Sequence, residues 1–126
     1  VSSKVGVPVQ ISTDVFLPNP VSFMAQKLLI QKYRRTDKQV QDALYIHDTL
    51  ELFGGDLPAL RELWHEKVRP TLPPKTAKNV ERLQREHFAV VTDVIRSATR
   101  IPQDRLLAPD RMQAACAYGL EEIFGG

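Results

Sequence analysis

A single cysteine, Cys116, in 126 residues excludes an internal disulfide and any cysteine-based zinc site. That usage fits a reducing compartment, so a cytoplasmic location is expected. Neither sign of charge dominates: 17 Lys and Arg face 15 Asp and Glu, for a formal net charge of +2. Nucleic-acid binders usually carry a marked basic surplus, so that class is not indicated and any basic site must be local. No apolar run approaches the roughly 20 residues of a membrane span. No basic-then-apolar leader opens the chain, and no membrane partner is expected. A glycine-rich phosphate loop, an Asp-x-Asp pair and a Gly-x-Ser-x-Gly elbow are all missing. No catalytic residue, metal ligand set or cofactor is therefore assigned to this chain, and alone it is expected to be inactive.

What is present is an ordinary globular composition, 43% hydrophobic and 25% charged, which argues against disorder and a coiled coil. The length suits one domain, residues 1–126. The expected fold is mostly α: about five helices over 19–126 in an antiparallel-type bundle, with a short β element over 1–18. Val5, Val7, Val9 and Ile11 alternate as in a strand, and Pro8 pushes that strand to an edge or a bulge.

Asn19 and Pro20 predict a capped helix over about 20–34, with Val21, Met24, Ala25, Leu28 and Leu29 as its apolar stripe. Thr36 to Gln39 reads as a capping box opening a helix that runs to about Phe53, where Gly54-Gly55 should end it in the left-handed conformation. A third helix is expected over 57–68, a long fourth over 75–100 and a fifth over 109–124. The opening Val1-Ser2-Ser3-Lys4 has no initiator Met, as expected of a piece of a longer protein.

The isolated reactive side chains have structural explanations. His47 and His87 fall on apolar faces and are expected as hydrogen-bonded core histidines. His65 beside Trp64 belongs to the surface or a groove. Cys116 lies on an inner helix face, where a thiol is inert. Arg96, Arg100, Arg105, Arg111 and the pair Glu121-Glu122 read as solvated surface.

The tract 27–42 is different, because Lys27, Lys32, Arg34, Arg35 and Lys38 crowd into it. Lys27 and Arg34 are seven residues apart, which puts both on one face of the first helix and off its stripe. Arg offers a phosphate a planar bidentate fork and Lys a point charge, so an anion site is one reading. A corner with solvated charges is the other. Asp42 follows Lys38 by four residues and is expected to pair with it, or with Arg34, near the helix surface.

A Val-rich strand, then Pro18 and Pro20, Lys27-Leu28, Arg34, Lys38 and Asp42 resemble nucleotidyltransferase-fold proteins of the minimal and abortive-infection toxin type. The run Asp42-Ala43-Leu44-Tyr45-Ile46 is similar to the one that follows in that family. Gln39 stands where the family usually has Asp, and Lys38 where it usually has Arg. The likeness covers about residues 7–53. It implies that this is the C-terminal portion of such an enzyme. The Gly-Ser and Asp-x-Asp motifs, two Mg²⁺ ions and the transfer from an NTP would then belong to an N-terminal catalytic half, the implied partner. On the same resemblance, Lys27 and Arg34 meet the nucleotide phosphates, Lys38 adds a cation and Asp42 orients one of them. A stand-alone helical protein-interaction domain is the alternative. A helix–turn–helix nucleic-acid module ranks below both, because Asp37, Asp42, Asp48 and Glu51 outnumber Lys38 on the second helix. Self-association is left open.

Overall fold

The computed structural model describes residues 19–125. The expected β element lies outside them. The described residues are mostly helical, with six α-helices and no strand.

Helix α1, Pro20–Ile30, begins as its residues predict. The Asn19 side-chain oxygen accepts from the Ser22 N–H at 2.7 Å, and Pro20 occupies the first helical position. A 3₁₀ turn, Gln31–Tyr33, follows, so the helix expected to reach residue 34 stops earlier. Helix α2 is Thr36–Leu52. The capping box does not form: Arg35 is the cap residue and makes no side-chain cap bond. Gln39 instead donates to the Gln31 carbonyl at 2.9 Å, fastening the corner between α1 and α2. Gly54 and Gly55 open a 3₁₀ turn, Gly54–Asp56, without entering the left-handed region. Helix α3, Leu57–Leu63, passes into a π turn at Trp64–Val68. Residues four apart lie almost in register on so wide a turn, and both Trp64 and Val68 are buried.

The expected long helix over 75–100 is two helices: α4, Pro74–His87, and α5, Asp93–Ala98. This accounts for six helices where about five were expected. The interruption has local causes. Val90, Val91 and Thr92 are β-branched, which disfavours helix. Thr92 caps α5, its hydroxyl accepting from the Ile95 N–H at 3.2 Å, and Asp93 follows in the first turn. Gln113 donates to the Phe88 carbonyl at 2.6 Å and so satisfies an acceptor beside the end of α4.

Helix α6, Pro109–Phe124, is the hub: it packs on α2, α3, α4 and α5. Met112, Cys116, Leu120, Ile123 and Phe124 are fully buried on it. Trp64 meets Phe124 edge to face, with ring centroids 4.8 Å apart. At Gly119 the α2–α6 approach is close, because an added Cβ would stand 3.0 Å from a Leu50 methyl. On its outer side α6 is held by Glu121, which accepts from Gln84 at 2.7 Å and from two nitrogens of Arg85. Glu121 is thus a clamp between α4 and α6 and not merely solvated.

His87 sits at the end of α4, where α1 packs. Its Nε2 is buried and has no hydrogen-bond partner. Burial holds the imidazole below its ordinary value of 6.5, against a smaller opposing pull from the Leu28 carbonyl. The unfolded chain therefore binds more protons than the folded one just below pH 6.5, and stability must fall as pH falls through that window. Urea midpoints should drop between neutral pH and pH values below 6.5, and His87→Gln should flatten that part of the profile. An acid slope of the same size in the variant would show that His87 does not cause it.

Candidate functional site

The basic corner is built around Asp42, which the structure buries completely. This corrects its expected place near the helix surface. Of the two expected partners, Arg34 pairs with it and Lys38 does not. Asp42 pairs with Lys27, whose Nζ lies 3.1 Å from Oδ1, and with Arg34, whose Nε lies 2.9 Å from Oδ2. A second Arg34 nitrogen, Nη2, donates to Oδ1 at 3.2 Å, making the contact bidentate. Lys38 forms no ion pair among the described residues.

Three elements supply the three charges. Lys27 comes from the last turn of α1 and Asp42 from the second turn of α2. Arg34 lies in the extended link between them, at φ −96° and ψ 149°. Lys27 and Arg34 therefore do not converge as neighbours on one helix face, as the seven-residue spacing suggested. They converge because the chain breaks at Tyr33 and turns Arg34 back toward the carboxylate.

Burial separates the members. The Asp42 side chain is 1% exposed, that of Lys27 16% and that of Arg34 32%. An isolated buried carboxylate is strongly disfavoured, and this one faces two cations at 3.1 and 2.9 Å. The group carries net +1, and both cations reach toward solvent. Arg34 uses Nε and Nη2 on Asp42, which leaves the Nη1 donors available. The Lys27 ammonium also stands 5.4 Å from the Phe23 ring centre and 5.9 Å from that of Tyr45, within cation–π range. The corner can thus present preorganised N–H donors to an anion. Its carboxylate is enclosed by cations and is unsuited to a divalent metal. Among the described residues no group of three or more His, Cys, Asp or Glu is placed to hold a metal ion.

A second charged cluster, unforeseen from the sequence, lies elsewhere on α2. Asp48 accepts from Arg105 at 2.9 Å through both carboxylate oxygens and lies 3.1 Å from Nδ1 of His47. The two partners are 57 residues apart, and no local pattern marks them. His47 is buried and hydrogen-bonded, as its apolar face predicted. Cys116 is buried too, and burial pushes its thiol well above the ordinary range, which leaves it inert.

No protein family, curated protein or solved structure matches the chain. No helix among the described residues is long and apolar enough to cross a membrane.

The burial of Asp42 sets what its removal does. Asn cannot carry the charge that both cations face, so Asp42→Asn should destabilise the fold by about 2–4 kcal/mol. Lys38→Ala should change stability by no more than about 0.5 kcal/mol. Urea unfolding of the two variants checks both values, and equal effects would mean that Lys38 belongs to the network.

Proposed function

We propose that this chain is the helical C-terminal region of a nucleotidyltransferase-like protein, in which Lys27 and Arg34 contact the phosphates of an NTP. Lys38 contributes a further cation, and Asp42 acts as the positioning residue for Arg34. The observation that carries the reading is the pairing itself: one fully buried carboxylate holds two cations from separate elements. Fixing the guanidinium from behind lowers the ordering cost when a phosphate meets its outer edge. The resemblance of 7–53 to that enzyme family supplies the nucleotide. The same reading assigns the Mg²⁺ ligands, the Gly-Ser motif and the transfer chemistry to an upstream part, because Asp42 is enclosed by its two cations. The described residues contribute binding and orientation only.

The triad's structural role determines which variants are informative. Alanine at Arg34 or Lys27 removes a counter-charge of a buried carboxylate, so lost binding could not be separated from lost stability. Arg34→Lys keeps the charge and loses the fork. In the parent protein, Arg34→Lys should weaken NTP affinity by roughly tenfold or more, with the folded fraction preserved at the assay temperature. Calorimetric titration of NTP measures the affinity, and thermal unfolding of the same samples measures the folded fraction. Unchanged affinity in folded Arg34→Lys would leave the corner as scaffold.

A further inference from the structure

A cavity of about 470 Å³ lies between α2, the loop before α6 and α6 itself, apart from the basic corner. Its charged lining comes from His47 and Glu51 on α2, Arg105 in the loop and Arg111 on α6. Two of these side chains are engaged. Arg105 is held by both oxygens of Asp48, and His47 leans on the same carboxylate. The Arg105–Asp48 bonds anchor the loop to α2 beside the cavity. Glu51 and Arg111 have no ion-pair partner among the described residues, although both line the same space.

That leaves Glu51, which faces Arg105 at longer range, and Arg111 as the charged groups of this lining without a close ion-pair partner among the described residues. The rest of its lining is apolar: Leu106 and Leu107 on one side, Ala114 and Ala115 on the other. Leu106 is fully exposed at the rim, where water covers an isobutyl group that a ligand could bury. The charge balance selects among ligands. A phosphate dianion would meet Glu51, a simple cation would meet Arg111, and a purely apolar molecule would leave both charges desolvated and unpaired. A zwitterion with an aliphatic body answers all three.

We propose that this cavity binds a free amino acid with an aliphatic side chain, its carboxylate on Arg111, its ammonium on Glu51 and its side chain against Leu106 and Leu107. This reading is independent of the nucleotide assignment. Asp48 and Arg105 are positioning residues, which keep the loop against α2.

Calorimetric titration of the full chain with L-leucine tests it, with 4-methylpentanoate and 3-methylbutylamine as analogues that each lack one charge. Leucine should bind, and each analogue should bind about tenfold more weakly or worse. Arg111→Ala and Glu51→Gln should each weaken leucine by a similar factor. Both residues are exposed, so the melting temperature should stay unchanged. Ala115→Phe should abolish binding by filling the cavity. No binding of leucine overturns the proposal, as does leucine affinity unaltered in both charge variants. Equal binding of 4-methylpentanoate and leucine overturns it as well, since the site would then be a plain anion pocket.

Discussion

A carboxylate with no exposed surface needs counter-charge, and Asp42 obtains it from two directions. This requirement shapes the first third of the described fold. Lys27 must lie at the end of α1, close enough to reach across to α2. Arg34 must leave the helical path and run extended, so the chain cannot continue as one helix through 31–35. The Gln39 side chain then donates to the Gln31 carbonyl, which also accepts from the Arg34 N–H at 3.0 Å. Corner geometry and charge pairing are therefore one feature: straightening the corner would strip Arg34 from a buried anion. A hydrophobic residue at 42 could fill the same space without that dependence, and buried ion pairs are often no more stabilising than such replacements. Asp42 therefore fixes where Lys27 and Arg34 lie without needing to add net stability over such a replacement.

The other half of the molecule is organised by apolar burial around α6. Trp64, Phe124, Ile123, Leu120 and Met112 are all wholly enclosed, and burying such side chains contributes roughly 1.5–3 kcal/mol each before conformational entropy is subtracted. The polar contacts on α6 lie at its margins. Glu121 reaches Gln84 and Arg85, and Gln113 covers the Phe88 carbonyl. The latter bond matters for topology, because it satisfies backbone at the point where α4 ends and the chain turns toward α5.

How far the sequence reveals this depends on the range of each interaction. Asn19-Pro20 is a local signal and describes the start of α1 correctly, since capping involves residues three apart. The apolar spacing of α1 likewise locates its buried face at Val21, Met24, Ala25 and Leu28. The break at Phe88–Thr92 was also written locally, in Val90-Val91-Thr92-Asp93, but continuous apolar periodicity across it favoured one long helix. Thr36 to Gln39 fits a capping box, yet Gln39 finds a tertiary acceptor in Gln31, and the longer-range bond wins. For the site, the residue types Lys27, Arg34 and Asp42 were apparent, but the burial of Asp42 was not. Its position four residues after Lys38 suggested a surface pair, whereas the turn at Tyr33 brings Arg34 nearer. Pairs such as Asp48 with Arg105 join residues too distant for any pattern in one sequence to predict.

Helix α2 carries buried polar side chains at Asp42, His47 and Thr49, although a helix enclosed over so much of its surface could be wholly apolar. Each is satisfied differently: Asp42 by two cations, His47 by Asp48, and Thr49 by donating to the Tyr45 carbonyl at 2.7 Å. At about 100° per residue, His47 and Glu51 point roughly 140° and 180° away from Asp42 around the helix axis. The basic corner and the cavity beside Arg105 therefore lie on opposite flanks of one helix, separated by its apolar residues Leu44 and Leu50. No hydrogen bond or ion pair among the described residues links the two clusters. Any coupling between them must pass through movement of α2 as a body, and its packing on both α5 and α6 resists that movement. Among the described residues the two charged clusters are thus joined through the body of α2 and not through a chain of polar contacts.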